Sequence, residues 1–334
     1  MAAFRASLHA PSFLVCSAAE SDNSSQDELP FDENIPLAGY KEQDEEEDKE
    51  AIGDVESMSS QSCSGPIPLD LSIPKMDDIE RQISRDFDGW VSNGGIWRPA
   101  ECEAKVKVAF IIPFRNRFEQ LSVFLRHMHP LLKKQKLDYR IFVVEQSGDA
   151  PFNRAMLFNV GFKEALKFDE YKCFIFHDVD LLPEEYRNKY NCNSSPRHMA
   201  NAMDTFHYRL PYWYFFGGVE ALSREHFELI NGFSNIFWGW GGEDDNLYFR
   251  VTRKGLKLTR PAVEIGRYKM IKEHHTVEEK PPVNLRRVRD AFNQMDSDGL
   301  NSLQYNAKVI ENRLYTLIRA DLPYEHHTQD NVKR

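Results

Sequence analysis

The sequence has no long apolar run, few cysteines and no excess of basic residues. A helix that crosses a membrane needs about 20 consecutive apolar residues, and no uninterrupted apolar run approaches that length. The N-terminal stretch SLHAPSFLVCSAA is interrupted by His9 and Pro11 and is a poor signal peptide. The five cysteines fit either scattered thiols or two disulfides with one cysteine left over. The sequence therefore shows neither a membrane anchor nor a clear export signal.

The acidic charge is confined to one segment. The net charge is −10, and residues 20–50 alone carry thirteen acidic residues and two lysines, which leaves the rest nearly neutral. A nearly neutral domain favours neither nucleic acid nor an anionic membrane as a partner. Residues 1–62 also have little apolar periodicity, so we expect a flexible acidic leader or stem there. The 41% hydrophobic and 12% aromatic fractions indicate a globular protein, whose folded domain we assign to residues 63–334.

Short apolar runs alternate with helical patterns along the first part of this domain. Strands that alternate with helices predict an α/β fold, in which helices cover both faces of a sheet. A further helix, EDDNLYFRVTRKG, has acids in its first turn and Gly255 as its stop signal. The predicted strands are VKVAFIIPF (106–114), YRIFVVEQ (139–146) and KCFIFHDVD (172–180), and the predicted helices between them are FEQLSVFLRHMHPLL and FNRAMLFNVGFKEAL.

Two acids, Asp178 and Asp180, end the third predicted strand. Residues two apart in a strand point to the same side, so we expect these carboxylates to share a face. Ligands of open α/β sheets bind beyond the carboxyl ends of the strands. Two neighbouring carboxylates repel each other unless a cation lies near them, and a divalent ion that also binds a diphosphate meets this requirement. The alternative is that the acids are merely solvated at a strand end.

Three more acids lie in the stretch NGFSNIFWGWGGEDDN (231–246), directly after residues rich in tryptophan and glycine. Glu243, Asp244 and Asp245 would be stabilised by the macrodipole of the helix that they begin, which is one explanation for them. The macrodipole does not explain the preceding Trp-Gly-Trp-Gly-Gly. Tryptophan faces bind sugar rings, and glycine lets the backbone approach a ligand. An acid beside such a platform can take a proton from a sugar hydroxyl.

These residues resemble the β-1,4-galactosyltransferase family over residues 63–320, most closely the branch that includes lactosylceramide synthases. The resemblance implies that residues 63–334 are a catalytic domain with the GT-A fold, a Rossmann-like mixed sheet flanked by helices. It also implies a nucleotide-sugar, Mn²⁺ bridging its diphosphate, and inversion by direct displacement. Seven motifs carry the resemblance in order: IIPFRNR (111–117), PFNRAMLFNVGF (151–162), FHDVD (176–180), FFGGVEALS (215–223), NGF (231–233), FWGWGGEDD (237–245) and DGLNSL (298–303).

The resemblance also implies roles for individual residues. Asp180 would bind the metal, Asp244 would be the general base with Glu243 beside it, and Trp240 would bridge the donor and acceptor. The three acids would titrate as a coupled set, so the choice of Asp244 rests on the family pattern. Six residues would line the acceptor site: Tyr212, Phe215, Gly242, Glu243, Asp244 and Asp245. The nucleotide-sugar would contact Pro113, Phe114, Arg115, Arg117, Phe152, Arg154, Asp178 and Val179. Surface charge for the arginines and core packing for Phe152 are the alternatives.

The implied metal site departs from the family pattern at one position. The family takes its second metal ligand from a segment with a histidine three residues after a methionine, or with a serine followed by histidine-rich residues, whereas here YKMIKEHHT places Glu273 three residues after Met270. We favour Met270 and His274 as ligands, because the segment from Met270 to Asp298 is one residue short of the family pattern, as a one-residue shift would make it. Glu273 is the alternative ligand, and a solvated loop containing His274 and His275 is a second alternative.

The donor and acceptor follow from the same resemblance. The family position before FGGV faces the donor's 2-substituent, and here it is Phe215, whose bulk fits an N-acetyl group poorly. We therefore favour UDP-galactose, with UDP-N-acetylgalactosamine as the alternative, and an acceptor ending in N-acetylglucosamine or glucose on a glycoprotein or glycolipid. Tyr212 either shapes the acceptor site or only packs. An inactive sugar-binding homologue is a further alternative, whereas a metal-dependent nuclease would not need paired tryptophans.

The cysteines bear on the compartment. The family pairs cysteines at the positions of Cys173–Cys192 and Cys63–Cys102, which leaves Cys16 free. Two such disulfides imply an oxidising lumen, and five reduced thiols are the alternative. Asn23 and Asn193 begin glycosylation sequons. Family members are anchored in the Golgi, so we expect a Golgi lumenal location, although the sequence shows no anchor.

Overall fold

The computed structural model describes residues 65–73, 90–100, 106–271, 287–288, 290–291 and 293–324. The predicted leader at 1–62 lies outside these residues, as do Cys63, Cys102 and His274. Within the described ranges, no helix is both long enough and apolar enough to cross a membrane.

The strands and helices follow the apolar patterns of the sequence closely. The strands are β1 (Ile96–Trp97), β2 (Lys107–Phe114), β3 (Asp138–Gln146), β4 (Cys173–His177), β5 (Leu181–Pro183), β6 (Arg197–His198), β7 (Ala202–Met203), β8 (Val219–Ser223), β9 (Arg267–Met270), β10 (Asn306–Glu311) and β11 (Thr316–Asp321). The helices are α1 (Phe118–Lys134), α2 (Arg154–Ala165), α3 (Arg224–Leu229) and α4 (Glu243–Arg253), with a 3₁₀ turn at Asp204–Phe206.

Eight of these strands form one mixed sheet. Its order is β10-β11-β3-β2-β4-β8-β6, and β1 also pairs with β3. Strands β2, β3, β4 and β11 run parallel, whereas β8 is antiparallel to β4 and β10 is antiparallel to β11. A smaller sheet has the order β5-β9-β7. The predicted α/β fold is confirmed, and the carboxyl ends of β2 and β4 lie side by side at one edge.

Aromatic side chains pack helices against opposite faces of the large sheet. The ring of Phe124 in α1 lies 5.0 Å from that of His177 in β4. The ring of Phe162 in α2 lies 4.5 Å from that of Phe174 in the same strand. Because side chains alternate along a strand, positions 174 and 177 face opposite sides. All four of these side chains are fully buried, and burying one phenylalanine stabilises the fold by roughly 1.5–3 kcal/mol.

A disulfide joins the start of β4 to the segment before β6. Cys173 and Cys192 form this disulfide, and their Cα atoms lie 5.4 Å apart. The two cysteines are 19 positions apart in the sequence. Closing a loop of this size stabilises a protein by about 3 kcal/mol, because it restricts the unfolded chain. The closed loop contains Asp178 and Asp180, so the cross-link holds both ends of the segment that carries these acids.

Candidate active site

The turn after β4 carries Asp178 and Asp180, which we call the strand-end acids. The prediction that both lie within the strand is wrong, because β4 ends at His177. The backbone N–H of Asp178 donates to the carbonyl of Gly218 at 2.9 Å, and the N–H of Ile271 donates to that of Asp180 at 2.7 Å. These bonds attach the turn to the residue before β8 and to the residue after β9. The turn, not strand alternation, therefore determines where the two carboxylates lie.

Each strand-end acid accepts a hydrogen bond from a different arginine. Arg117, which precedes α1, donates from Nη1 to Oδ2 of Asp180 at 2.9 Å. Arg154, the first residue of α2, donates from Nε to Oδ1 of Asp178 at 2.6 Å. Burial and the charge of Asp178 nevertheless raise the pKa of Asp180 to about 6, against the opposing effect of Arg117. The charge of Asp178 contributes to this raised pKa, so a cation close to both carboxylates would relieve their repulsion.

The other residues predicted at the nucleotide pocket lie around this edge of the sheet. Arg115 donates from Nη1 to the carbonyl of Ala150 at 2.6 Å, and its guanidinium lies 5.3 Å from the ring centroid of Phe152. The ring of Phe114 is buried against Phe118, with centroids 5.0 Å apart. Two others predicted there are also buried: Pro113 and Val179. Arg115 and Phe152 form a polar and aromatic pair, whereas Phe114 belongs to the core.

The first turn of α4 carries Glu243, Asp244 and Asp245, which we call the helix-start acids. Gly242 immediately precedes them with a φ of 94°, a conformation that favours glycine because it has no Cβ. Its carbonyl accepts from the N–H of Asn246 at 3.0 Å, which closes the first turn. Acids at this end of a helix are stabilised by the positive end of the macrodipole.

The loop that carries the paired tryptophans is hydrogen-bonded to α2 and to the segment just before it. The N–H of Gly239 donates to the carbonyl of Phe152 at 2.8 Å. The side-chain amide of Asn159 donates to the carbonyl of Phe233 at 2.8 Å and accepts from its N–H at 2.9 Å. The side chain of Trp240, in the same loop, is 54% exposed to solvent. The supporting role of Asn159 was not predicted, although it lies within a quoted motif.

The predicted acceptor residues converge on the helix-start acids. The hydroxyl of Tyr212 donates to Oδ1 of Asp245 at 2.9 Å, and the Tyr212 and Phe215 rings pack with centroids 5.5 Å apart. A Cβ on Gly217 would lie 2.4 Å from Oδ2 of Asp244, so only glycine allows this approach. The segment before β8 therefore packs directly against the acids that begin α4.

Two of the helix-start acids, Glu243 and Asp244, hold their protons more tightly than ordinary carboxyl groups. Burial and the charge of Asp244 raise the pKa of Glu243 to about 7, although Arg154 opposes the shift. Burial also raises the pKa of Asp244. Burial and the charges of Asp244 and Asp245 raise the pKa of Tyr212. A carboxyl group with a raised pKa is a stronger base, so these acids suit proton transfer near neutral pH.

Arg154 joins the two groups of acids. Its Nη1 lies 3.5 Å from Oε1 of Glu243, while its Nε donates to Asp178. Its Nη2 donates to Oε1 of Glu220 at 3.3 Å. Burial lowers the pKa of Arg154, but the surrounding carboxylates outweigh that effect and raise it well above its ordinary value. Glu220 was not predicted, although an acid in the middle of the buried strand VEALS was a usable signal.

Part of the implied metal site can be tested on the described residues. Leu181 of β5 pairs with Met270 of β9, so Met270 lies beside the strand-end acid Asp180. The raised pKa of Asp180 shows a carboxyl group that would be stabilised by a cation. Glu273 and His274 lie outside the described residues. Among the described residues, this site included, no cluster of three or more His, Cys, Asp or Glu residues could hold a metal. Of the implied ligands, the described residues supply Asp180 and Met270, and the carboxylate of Asp180 is of the type that suits Mn²⁺.

Two family models match most of the chain. The N-terminal region of glycosyl transferase group 7 matches residues 57–193. The N-terminal domain of galactosyltransferase matches residues 197–275. The two matches together include both the strand-end acids and the helix-start acids.

Individual relatives agree with the family models. The chain is 48% identical over 264 residues to mouse β-1,4-galactosyltransferase 5, covering 79% of this chain and 68% of that protein. It is 48% identical over 258 residues to human β-1,4-galactosyltransferase 6, covering 77% and 67%. The catalytic domain of Drosophila β-1,4-galactosyltransferase 7, solved with xylobiose, superposes with a TM-score of 0.57 at 33% identity, covering 66% of this chain and 95% of that one. A mutant of that enzyme was solved with manganese, UDP-Gal and xylobiose.

Proposed function

The chain belongs to the β-1,4-galactosyltransferase family, and on that premise we propose that it transfers galactose from UDP-galactose to the 4-hydroxyl of a terminal N-acetylglucosamine or glucose. The GT-A fold and the glycosyltransferase class expected from the sequence are confirmed. The observation that carries the proposal is the contact of Arg154 with both Asp178 and Glu243. It makes the two groups of acids one site, as transfer between two sugars requires.

The strand-end side is assigned to the donor. Arg115, Arg117 and Arg154 would offer N–H groups to the diphosphate, because a guanidinium matches phosphate oxygens with paired donors. Asp178 and Val179 would border the nucleotide, and the uracil would lie near Phe152. Asp180 and Met270, with His274 as the third residue, would hold Mn²⁺. When bound, this ion would stabilise the negative charge of the departing UDP.

The helix-start side is assigned to the acceptor. Asp244 would accept the proton of the attacking 4-hydroxyl, and its raised pKa strengthens it as a base. The acceptor oxygen would form a bond to the anomeric carbon as the bond from that carbon to the UDP oxygen breaks, with inversion. Glu243 and Asp245 would hold neighbouring hydroxyls, and the exposed face of Trp240 would stack on a sugar ring.

Phe215 is assigned to donor selection. Its side chain is 9% exposed, and rings of Tyr212, Phe206 and His198 surround it with centroids 5.5 to 5.8 Å away. A ring packed on three sides cannot move aside cheaply. A donor with a bulky N-acetyl group would therefore fit less well than UDP-galactose. The family position of this residue supports the same assignment.

A Golgi lumenal location is part of the proposal. The Cys173–Cys192 disulfide supports an oxidising compartment, since disulfides are rare in the reducing cytosol. The acceptor would then be a glycoprotein or glycolipid that passes through the same compartment.

The proposal is tested by initial rates of transfer to an N-acetylglucosamine-terminated acceptor with Mn²⁺, using UDP-galactose and UDP-N-acetylgalactosamine side by side. We expect faster transfer from UDP-galactose and loss of activity when a chelator removes the metal. Faster transfer from UDP-N-acetylgalactosamine would overturn the assignment of Phe215. Absence of transfer from both donors, to both N-acetylglucosamine and glucose acceptors, would overturn the proposed function and favour an inactive sugar-binding homologue.

A further inference from the structure

A buried glutamate, Glu220, contacts Arg154 of the site but has no role in the proposed transfer reaction. Glu220 is the second residue of β8, paired with Phe176 of β4 on one side and with His198 of β6 on the other. Its side chain is fully buried in the sheet. A carboxylate in the interior is costly unless it is paired. An acid at this position therefore calls for an explanation beyond packing.

The one ion pair of Glu220 among the described residues is with Arg154. Nη2 of Arg154 donates to Oε1 of Glu220 at 3.3 Å, while Oε2 of Glu220 has no hydrogen-bond partner. Burial raises the pKa of Glu220, and Arg154 opposes that shift. Because Oε1 can accept from the guanidinium whether or not the group is ionised, the contact with Arg154 does not depend on the protonation state.

The guanidinium of Arg154 is held at two of its three nitrogens. Nε donates to Asp178 and Nη2 donates to Glu220, and the ring of Phe158 lies 4.5 Å from the guanidinium carbon. These two hydrogen bonds and the neighbouring Phe158 ring together fix the plane of the guanidinium group. The third nitrogen, Nη1, is buried and makes no hydrogen bond, although it lies 3.5 Å from Glu243. Nη1 is therefore the donor that remains for a ligand.

We propose that Glu220 is a positioning residue for donor binding, which orients Arg154 so that Nη1 is presented to an anionic oxygen of the nucleotide diphosphate. The proposal rests on the proposed function and extends it to a residue that does not touch the substrate. An unrestrained arginine would lose rotamer freedom on binding, and Glu220 removes that cost in advance. The geometric role is separable from a charge effect. Removing a negative charge near an anionic ligand would by itself strengthen binding, whereas losing the orientation would weaken it.

The test compares three variants by calorimetric titration with UDP in the presence of Mn²⁺. Glu220→Ala removes the oxygen that accepts from Arg154, and we expect the Kd for UDP to rise about tenfold. Glu220→Gln keeps a carbonyl oxygen in the same place and should stay within about threefold of wild type. Leu222→Ala is the matched control, because Leu222 is fully buried on the same face of β8. It should lower the melting temperature but leave the Kd unchanged.

Transfer kinetics and a double variant separate positioning from structural damage. Glu220→Ala should raise the donor KM far more than the acceptor KM. In an Arg154→Gln background, Glu220→Ala should weaken UDP binding little further, since the two residues act through one contact. Unchanged UDP binding in Glu220→Ala would overturn the proposal, as would a Glu220→Gln variant as weak as Glu220→Ala or equal losses for donor and acceptor. Failure of the wild-type protein to bind UDP would instead overturn the proposed function.

Discussion

The strand-end acids and the helix-start acids meet in one site, but their charges are balanced in different ways. Asp178 and Asp180 each accept an arginine N–H, at 2.6 and 2.9 Å. Glu243 has Arg154 only at 3.5 Å, and its Oε2 has no hydrogen-bond partner. Both groups contain a carboxyl group whose pKa is raised by burial, to about 6 in Asp180 and to about 7 in Glu243, but only the strand-end acids accept close arginine hydrogen bonds. One region is therefore suited to bind charge and the other to exchange a proton.

The difference follows from where each group lies in the fold. The strand-end acids follow a parallel strand, where the starts of α1 and α2 bring Arg117 and Arg154 to the same edge. The helix-start acids lie at the positive end of α4, where backbone dipoles partly replace cations. Partial charges compensate a carboxylate less than a close guanidinium does. Burial raises the pKa in both groups, so the close arginine donors are what distinguish the strand-end acids.

The largest effect is expected on kcat, from a substitution that removes the proposed base without disturbing donor binding. Asp244→Asn removes the proposed base but keeps the size and hydrogen bonds of the side chain. We expect kcat to fall by about 10²–10⁴, with the Kd for UDP and Mn²⁺ nearly unchanged. Asp296→Asn is the matched control, because Asp296 is a surface acid with 74% of its side chain exposed. If UDP binding fell as far as kcat, the two regions would not have separate roles.

A smaller effect is expected from the strand-end side. Arg117→Gln removes the cation that donates to Asp180, together with one proposed diphosphate donor. A charge-assisted hydrogen bond contributes roughly 1.5–3 kcal/mol, so the Kd for UDP and Mn²⁺ should rise about tenfold or more. Calorimetry measures this rise directly. Arg319→Gln breaks an exposed ion pair with Glu145 and should leave binding intact. A variant with lower kcat but normal UDP affinity would contradict the division between the regions.

The smallest effect concerns stability rather than activity. Because the folded-state pKa of Glu243 is about 7, above its ordinary 4.5, the folded protein keeps a proton that the unfolded chain releases. Stability should therefore fall as pH rises from about 5 to about 8, and Glu243→Gln should reduce that fall by roughly 1 to 3 kcal/mol. Urea unfolding in chelator at several pH values measures the slope.

The control for this pH dependence is Glu225→Gln, because Glu225 is an exposed glutamate in the first turn of α3. Its slope should match that of the wild type. An unchanged slope in Glu243→Gln would mean that Glu243 does not keep a proton in the folded protein near neutral pH.

Strong apolar periodicity predicted the framework of the fold well. The bounds of β2, α1 and α4 agree with their predicted ranges to within about two residues, because each has a clear buried face and clear end signals. The end of β4 was not predictable, since the apolar alternation continues past His177 although the chain turns. Backbone bonds to distant segments, such as the one from Asp178 to Gly218, determine that turn.

The site was predictable as a set of residue types but not as a set of contacts. The acids, arginines and tryptophans stand out in the sequence as motifs. The pairing of Arg154 with Glu220 joins residues 66 positions apart, and no local pattern encodes it. Which acid receives which arginine depends on the path of the sheet, and therefore on the whole fold.

The close approach at Gly217 has a consequence for the evolution of this protein. A methyl group there would meet Oδ2 of Asp244 at 2.4 Å, and Asp244 would have to move. A change from glycine to alanine needs only a single-nucleotide substitution. It would displace the proposed base while leaving the proposed sugar-binding face of Trp240 unchanged. On the proposed function, a duplicated gene could in this way lose catalysis and keep carbohydrate recognition.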